Sequence, residues 1–158
     1  MQIIVPSEQD MEVLGQSLAR VLENGDIVYL LGELGAGKTT LVRGVARGLG
    51  YKGNVNSPTF TIMNIYNSIP AICHFDFYRL NESDISDLGL EDYLEKEGIA
   101  LIEWPQAGKR FLPEEALVIK IELVNDDYDR ERKVSITSRG DTYANKLEEL
   151  KKVVDFGD

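Results

Sequence analysis

The sequence predicts an α/β fold in which a mostly parallel central sheet is flanked by helices and carries antiparallel strands at its edge. Two short apolar runs, residues 26–31 and 99–104, are typical of buried strands, and helix-patterned segments alternate with them. Such alternation is typical of parallel strands that are covered on both faces. Residues 117–124 and 133–138 instead alternate apolar with polar side chains, as antiparallel strands do.

The chain opens with a predicted amphipathic helix. Ser7, followed three positions later by Asp10, is typical of a helix start, and Asn24 with Gly25 is typical of a helix end. Apolar residues recur between them at helical spacing, so one face of the helix is expected to be buried. These residues are Met11, Leu14, Leu18, Val21 and Leu22.

A strand, a glycine-rich turn and a second helix are predicted next. The run DIVYLL, residues 26–31, is rich in strand-forming residues and leads directly into a cluster of glycines. The run TTLVRGVARGLG, residues 39–50, then has apolar positions that suit a helix.

The rest of the chain predicts a hairpin, a short acidic helix, three further strands and a closing helix. The hairpin strands, FTIMNIY and AICHFDFYRL, flank a turn at residues 67–70. The later elements are DLGLEDYLEKEG at 87–98, IALIEW at 99–104, LVIKIELV at 117–124, KVSITS at 133–138 and YANKLEELKKVV at 143–154.

Length and composition predict one cytoplasmic domain over residues 1–158. A chain of 158 residues can bury about two thirds of its unfolded surface, and 43% hydrophobic with 28% charged residues is ordinary for a globular protein. There is no apolar run of about 18 residues, so no membrane association is expected. The N-terminus lacks the pattern of a secretory signal, and Cys73, the single cysteine, excludes an internal disulfide.

The net charge restricts the binding partners. At −10, the chain would be repelled by a phosphate backbone, so strong direct binding of tRNA is not expected. An acidic protein is better suited to bind the basic surface of a partner protein.

The run GELGAGKT, residues 32–39, satisfies the pattern GxxxxGK[ST] of a phosphate-binding loop, and it stands between a predicted strand and a predicted helix. Glycines let the backbone amides of such a loop converge, and the helix start adds its positive dipole end. An anion of two or three phosphates is the expected ligand. Lys38 would reach the outer phosphates, the Thr39 hydroxyl would hold Mg²⁺, and Thr40 would bind the inner phosphate. The expected nucleotide contacts in this segment are Gly35, Ala36, Gly37, Lys38, Thr39 and Thr40.

A site of this type needs an acid at the end of a neighbouring strand, and two candidates exist. Glu103 ends the apolar run IALI, so we favour it as the acid on the metal side. Asp76 competes for that role, or it anchors a metal-bound water or orients Thr39. We therefore expect Lys38, Asp76 and Glu103 to serve catalysis.

Strand periodicity in HFDFYR, residues 74–79, puts His74, Asp76 and Tyr78 on one side and the two phenylalanines on the other. This pattern predicts that the phenylalanines are core and that the three polar side chains face outward. Whether His74 is a functional or an ordinary surface residue stays open, as does the choice between a salt bridge and a phosphate contact for Arg79.

Thr59, Trp104 and the segment at 145–148 have weaker signals. Thr59 follows a proline in a loop before a strand, as a threonine that senses the γ-phosphate does in nucleotide switches, although a simple turn gives the same pattern. Trp104 directly follows Glu103 and belongs either to the core or to the rim of the site. The run NKLE resembles a guanine-reading motif, but it lies in a helix-patterned segment where a solvated charged face is the expected role. ATP is therefore favoured over GTP.

Five motifs in one order, GELGAGKTT, NVNSPTFT, HFDFYRL, DLGLEDYL and LIEWP, together resemble the bacterial TsaE family, formerly called YjeE. The resemblance covers most of residues 1–125. It implies a P-loop ATPase that uses ATP and Mg²⁺ and assists TsaD-like and TsaB-like proteins in placing threonylcarbamoyl on an adenosine of tRNA. The resemblance implies Thr39 and Glu103 on the metal side, Asp76 and Trp104 in the site, and Thr59 in a switch-like loop. It also implies, more weakly, that Glu8 and Arg130 contact the nucleotide.

Two other functions agree with the phosphate-binding loop. A P-loop kinase of small molecules or nucleotides is one, but such kinases usually carry an arginine-bearing lid, and no arginine-rich insertion stands between residues 80 and 125. A non-catalytic scaffold that responds to a nucleotide is the other.

Overall fold

The computed structural model describes residues 1–58, 61–95 and 97–154. Within these residues the strands form a seven-stranded sheet in the order β1-β7-β6-β2-β5-β4-β3. The strands are β1 Gln2–Val5, β2 Ile27–Leu31, β3 Met63–Tyr66, β4 Ile72–Asp76, β5 Ile99–Glu103, β6 Ala116–Val124 and β7 Asp127–Arg139. The helices are α1 Glu8–Ala19, α2 Lys38–Gly48, α3 Glu82–Ser86, α4 Leu90–Glu95 and α5 Asp141–Val153, with a 3₁₀ helix over Pro105–Phe111.

The predicted α/β class is confirmed, and the parallel part of the sheet is its centre. Strand β2 pairs in parallel with both β5 and β6, and β5 pairs in parallel with β4. Strand β3 pairs antiparallel with β4, as the predicted hairpin requires, and β7 pairs antiparallel with both β6 and β1. The four central strands, β6, β2, β5 and β4, are therefore parallel to one another. The strands beside them are antiparallel, because β3 and β7 are joined to their neighbours β4 and β6 by hairpins.

Helices cover both faces of the sheet. One buried cluster contains apolar residues of α1, α2 and α5, and the other contains residues of α3, α4 and the central strands. The start of α1 is as predicted, because Ser7 caps it by accepting a hydrogen bond from the amide of Asp10. Within the described ranges, no helix combines the length and the apolar character that crossing a membrane requires.

Glycines let α1 and α2 pack in close contact. A Cβ atom on Gly44 of α2 would lie 2.1 Å from the carbonyl oxygen of Glu12 in α1, and one on Gly15 would lie 2.3 Å from the carbonyl oxygen of Leu41. The two backbones therefore touch directly where the helices cross. This contact fixes α2, whose first turn carries Lys38 and Thr39, against the body of the fold.

The prediction of a solvated helix face at 145–148 is wrong for Lys146. This side chain is buried, and its Nζ lies 2.9 Å from Asp26 Oδ2 and 3.4 Å from Glu23 Oε2. Lys146 also donates a hydrogen bond to the carbonyl oxygen of Val21. The ion pairs of Lys146 therefore link α5 to the turn between α1 and β2.

Candidate functional site

The glycine-rich loop, defined here as residues 32–37, leaves β2 at the carboxyl edge of the parallel strands and ends at the start of α2. Its glycines adopt conformations that other residues rarely adopt: φ is +78° at Gly35 and +120° at Gly37. Gly37 precedes α2 and has no side chain to cap it, so the first-turn amides of α2 are left for another acceptor. The loop therefore has the donor arrangement of an anion site.

Lys38, the first residue of α2, is buried against the glycine-rich loop. Its Nζ atom donates hydrogen bonds to the carbonyl oxygens of Gly32 and Glu33, the second at 3.2 Å. Burial lowers the pKa of Lys38, while the nearby charges of Glu103 and Asp76 act in the opposite direction. The lysine therefore contacts the backbone of the glycine-rich loop, and its charge interacts favourably with both carboxylates.

The two predicted acids lie at the ends of adjacent strands. Leu30 of β2 is in register with Glu103 of β5, and Glu103 is in register with Asp76 of β4. Both carboxylates are buried, Glu103 at 3% and Asp76 at 4% exposure. Parallel strands end at the same edge of a sheet, so the fold assembles the glycine-rich loop and both acids at one place.

The prediction that His74 and Asp76 face outward is wrong. His74 is fully buried, because β4 is an interior strand and helices cover the face on which His74 lies. Phe75 and Phe77 are buried on the opposite face, as predicted. Tyr78 is 45% exposed, because β4 ends at Asp76 and the chain turns there. Arg79 is also exposed.

His74 joins Glu103 to the hairpin. Its Nε2 atom lies 2.6 Å from Glu103 Oε2, and its Nδ1 atom lies 3.0 Å from the hydroxyl oxygen of Tyr66. The Tyr66 hydroxyl donates to the carbonyl oxygen of Asn56 at 3.1 Å. The sequence pattern did not single out Tyr66 or Asn56, because no motif identifies a hydrogen-bond partner across a sheet.

Asp76 is held by the backbone and by a loop residue. Its Oδ1 atom accepts a hydrogen bond from the amide of Tyr78 at 2.9 Å, and its Oδ2 atom accepts one from the Ser57 hydroxyl at 3.4 Å. Thr59, the predicted sensor of the γ-phosphate, lies outside the described residues.

Trp104 lies at the rim of the site. Its backbone has φ of +56° directly after β5, and its ring centroid lies 4.3 Å from Lys38 Nζ and 4.8 Å from the ring centroid of Tyr78. Its indole Nε1 is buried and has no hydrogen-bond partner in the described part of the chain. The structure thus places Trp104 partly in the core and partly against Lys38 at the start of α2.

A cleft of about 450 Å³ adjoins the glycine-rich loop. Glu8 and Arg130, the two weaker nucleotide contacts of the sequence prediction, line it together with Gly35, Gly37 and Thr40. The Thr40 hydroxyl lies 3.5 Å from Glu8 Oε1, whereas Arg130 is bonded to Glu131. The structure therefore brings both predicted contacts to the same cleft as the loop.

Two residues that the sequence pattern did not indicate fasten the glycine-rich loop to the β6–β7 hairpin. The Tyr128 hydroxyl donates to the carbonyl oxygen of Leu34 at 3.2 Å, and Arg132 Nε donates to that of Ala36 at 3.0 Å. Strand β7 begins at Asp127, well before the predicted start at residue 133. Its early part is rich in charge, which hid the strand pattern.

A larger cleft, about 890 Å³, lies between β2, β6 and the 3₁₀ helix. None of the predicted site residues is among the described residues that line it. We assign the site to the smaller cleft, because Gly35, Ala36 and Gly37 of the glycine-rich loop and Thr40 of the first turn of α2 line it.

No cluster of three or more histidine, cysteine, aspartate or glutamate side chains suited to a metal ion occurs in the described ranges. The oxygen donors at the strand ends are the carboxylates of Glu103 and Asp76, and the predicted Thr39 hydroxyl stands in the first turn of α2, directly after the glycine-rich loop. Oxygen donors of this kind, few in number, suit Mg²⁺, which keeps several of its waters. The residues present therefore fit a magnesium ion that a phosphate ligand would help to hold.

The comparisons with known proteins agree with the resemblance in the sequence. The family model described as "Threonylcarbamoyl adenosine biosynthesis protein TsaE" matches residues 5–134. The protein named "tRNA threonylcarbamoyladenosine biosynthesis protein TsaE" from Haemophilus influenzae is 41% identical over 129 residues, which are 77% of this chain and 82% of that protein. The protein of the same name from Bacillus subtilis is 40% identical over 143 residues, 90% of this chain and 88% of that protein.

A solved structure extends the similarity to the fold. The crystal structure of Bacillus subtilis YdiB superimposes with a TM-score of 0.84 at 33% sequence identity, covering 96% of this chain and 94% of that one. The family match, the relatives and the shared fold together show that this chain belongs to the TsaE family of tRNA threonylcarbamoyladenosine biosynthesis.

Proposed function

We propose that this chain binds ATP with Mg²⁺ at the carboxyl edge of its parallel strands and hydrolyses it in support of tRNA threonylcarbamoyladenosine formation. The turnover is slow in the isolated chain and rises when TsaD-like and TsaB-like partners bind. The chain assists these partners and does not itself transfer the threonylcarbamoyl group. One observation carries the proposal: the glycine-rich loop, Glu103 and Asp76 stand at the ends of three adjacent strands, and Lys38 begins the helix that follows the loop.

The glycine-rich loop and the start of α2 bind the phosphates. The amides of the first turn of α2 and the glycine-rich loop donate to phosphate oxygens, and the Thr40 hydroxyl joins them. Lys38 exchanges its bonds to the Gly32 and Glu33 carbonyls for bonds to the outer phosphates, because hydrogen bonds between two charged groups are the stronger ones. This exchange orients the terminal phosphate toward the acids.

Thr39, Glu103 and Asp76 serve the metal side. A bound Mg²⁺ would neutralise the charge that develops on the phosphates during transfer. The Thr39 hydroxyl and the Glu103 carboxylate hold that ion, and Asp76 orients water or Thr39 beside it. Both carboxylates are buried, so their charges act in a medium where they are screened less than at the surface.

The cleft beside the glycine-rich loop receives the nucleoside. Its lining combines carboxylate, guanidinium and phenol groups from Glu8, Arg130 and Tyr128 with the backbone of the loop. These groups offer polar and aromatic contacts to a ribose and a base. The chain's net charge of −10 supports a role in which tRNA is held by a partner rather than by this chain.

The test is ATP consumption by the purified chain with and without TsaD-like and TsaB-like proteins of the same organism. We expect slow hydrolysis alone and a clear increase with both partners. A fast rate that partners leave unchanged, or no hydrolysis in either condition, would refute the proposal. Lys38→Ala and Glu103→Ala serve as site controls in the full complex, because hydrolysis that survives both changes would place the site elsewhere.

The structure does not favour a kinase. Arg110 is the single arginine between residues 80 and 125, and it is 74% exposed and lies 3.5 Å from Glu82 on the 3₁₀-helix side. Incubation with labelled ATP and candidate small-molecule acceptors checks this alternative directly, since a phosphorylated acceptor would establish it.

A further inference from the structure

A buried chain of hydrogen bonds runs from Glu103 to a loop two strands away. It passes from the Glu103 carboxylate to His74, from His74 to the Tyr66 hydroxyl, and from that hydroxyl to the carbonyl oxygen of Asn56. His74 is 0%, Tyr66 2% and Glu103 3% exposed, so water does not compete for the two bonds of His74, whereas the bond to Asn56 is partly buried. The chain therefore connects β5, across β4 and β3, to residues 54–58, which we call the 54–58 segment.

The His74 ring is held from both sides. Its Nδ1 atom lies 3.0 Å from the Tyr66 hydroxyl oxygen, and its Nε2 atom lies 2.6 Å from Glu103 Oε2. The Tyr66 hydroxyl in turn donates to the carbonyl oxygen of Asn56. Both ring nitrogens of His74 are thus engaged, and the ring holds one oxygen of Glu103 in place.

The same segment also holds the other acid. The Ser57 hydroxyl donates to Asp76 Oδ2 at 3.4 Å, and the Asn56 carbonyl accepts a second hydrogen bond, from Asn64 Nδ2 at 3.1 Å. Two neighbouring residues of the 54–58 segment therefore reach both carboxylates of the site by separate routes. A displacement of the segment would remove the Ser57 bond to Asp76 and the Asn56 bond that supports Tyr66 behind Glu103.

From this geometry we infer that Tyr66 and His74 are positioning residues that tie the orientation of Glu103 to the place of the 54–58 segment. The expected effect on kcat rests on the proposed function. The hydrogen bonds that connect the segment to Glu103 do not depend on it. When the segment is in place, Tyr66 donates to Asn56 and His74 holds Glu103 from Nε2. When the segment leaves, the Tyr66 hydroxyl loses its bond to Asn56, and the His74 ring loses the support that fixes its place against Glu103. The position of the segment thereby affects the orientation of Glu103.

The pair Tyr66→Phe and Tyr51→Phe tests the catalytic consequence. Tyr66→Phe keeps the buried ring and removes the hydroxyl that links the segment to His74. Tyr51 is the matched control, because its ring lies 5.2 Å from that of Tyr66 and its hydroxyl donates to the Asn54 carbonyl in the same segment, outside the chain to Glu103. Loss of a partner that orients a metal-side ligand typically costs 10-fold to 100-fold, so we expect kcat of Tyr66→Phe to fall by about that factor.

The binding of ATP separates positioning from general damage. We expect the Kd for ATP in Tyr66→Phe to stay within about twofold of the wild type, because a positioning residue acts in turnover more than in binding. Tyr51→Phe should leave kcat and Kd unchanged within the same margin. A purely structural role of Tyr66 predicts a lower melting temperature with unaltered kcat, and that result would overturn the inference.

The single histidine of the chain gives a readout that needs no activity. In ¹⁵N-labelled wild-type protein free of nucleotide, the imidazole signals belong to His74 alone. Tyr66→Phe should shift the Nδ1 signal, whereas Tyr51→Phe should leave it in place. An unchanged Nδ1 signal in Tyr66→Phe would overturn the inference. If Tyr66→Phe failed to fold, Asn64→Ala, which removes the other side-chain bond to the Asn56 carbonyl, should shift the same signal, and an unchanged signal there would overturn the inference as well. If the wild type proved not to hydrolyse ATP, the proposed function would fail, and these spectra would still decide the coupling.

Discussion

The Nζ atom of Lys38 lies 4.3 Å from the centroid of the Trp104 ring, so the charged end of this lysine contacts the single tryptophan of the chain. A cation over an indole ring is attracted to its face by about 0.5–2 kcal/mol. The two residues follow different strands of the sheet: Lys38 begins the helix after β2, and Trp104 comes directly after β5. Their contact makes the environment of Trp104 sensitive to the position of Lys38.

We expect the fluorescence of Trp104 to change when Mg-ATP binds, because the outer phosphates draw Lys38 away from the ring. Emission should follow the same binding curve as calorimetry. In Lys38→Met, which keeps the length of the side chain without its charge, the change should be smaller at saturating nucleotide. An emission that stays constant while calorimetry records binding would show that Lys38 does not leave Trp104.

The roles of Lys38 and Glu103 should separate in binding and turnover measurements. Lys38→Ala should weaken ATP binding by about 10-fold to 100-fold, as expected for the loss of a hydrogen bond between charged groups worth about 1.5–3 kcal/mol. Glu103→Gln should lower kcat by about 100-fold and affect binding less. The reason is that a metal ion held by Glu103 would stabilise the charge that develops in the transition state more than the charge of the bound ATP. Equal losses of affinity in the two variants would contradict this division. Arg110→Ala, a change at an exposed residue on the 3₁₀ helix, is the control.

Gly44→Ala should destabilise the fold although alanine is the better helix former. The gain in helix propensity is about 1 kcal/mol, whereas the added Cβ would lie 2.1 Å from a carbonyl oxygen of α1 that cannot move without separating the helices. Overpacking of this kind typically costs about 1–3 kcal/mol, so we expect a net loss and a lower midpoint in urea.

Gly25→Ala is the matched control for Gly44→Ala. Gly25 has φ of +88° and open space around its Cβ position, so its substitution measures the conformational cost alone, about 1–2 kcal/mol. Gly44→Ala should also weaken ATP binding, because it displaces the start of α2, whereas Gly25→Ala should not. Unchanged affinity in a destabilised Gly44→Ala protein would show that α2 keeps its place.

Lys146→Met should lower the free energy of unfolding by about 3–5 kcal/mol, because it leaves the buried carboxylate of Asp26 without its cation. Lys151→Met, which removes an exposed pair with Glu148, should cost no more than about 1 kcal/mol. Denaturant unfolding of both variants measures the difference. Similar small losses in the two would show that Asp26 is compensated by other groups.

The same lysine predicts a dependence on alkaline pH. Burial by itself lowers the pKa of Lys146, but the carboxylates of Asp26 and Glu23 outweigh burial and raise the pKa above its ordinary value of 10.5. A raised pKa in the folded state means that this stabilisation is complete below pH 10.5 and is lost as the pH rises through the folded value. The stability difference between the wild type and Lys146→Met should therefore shrink at alkaline pH, which unfolding at a series of pH values would record.

Local sequence patterns predicted those helices and strands whose formation is determined by residues close together in the chain. The capped start of α1 at Ser7, the strand that precedes the glycine-rich loop, and the hairpin of β3 and β4 all follow from spacing and turn chemistry. Strand β1 and helix α3 were not predicted. β1 is four residues long and is held by pairing with the distant β7, and α3 depends on the capping box at Asn81.

The partly wrong prediction for the face of His74 has a clear physical reason. Alternation correctly separates His74 and Asp76 from the phenylalanines, but it identifies two faces without telling which of them is buried. Polar side chains on a doubly covered sheet are buried when they find partners, and the partners of His74 come from β3 and β5. The prediction for Lys146 failed in the same way, because its partners Asp26 and Glu23 are more than a hundred positions away in the chain.

The sequence by itself therefore determined the α/β class, the glycine-rich loop between strand and helix, the family and the identity of the two acids at the strand ends, since each depends on local spacing or on motifs read in order. Only the tertiary structure decided that Lys38 lies over the ring of Trp104, that Tyr66 and His74 stand behind Glu103, and that the β6–β7 hairpin fastens the loop through Tyr128 and Arg132. These contacts join residues far apart in the chain. They arise from strand order and register, which no single segment encodes.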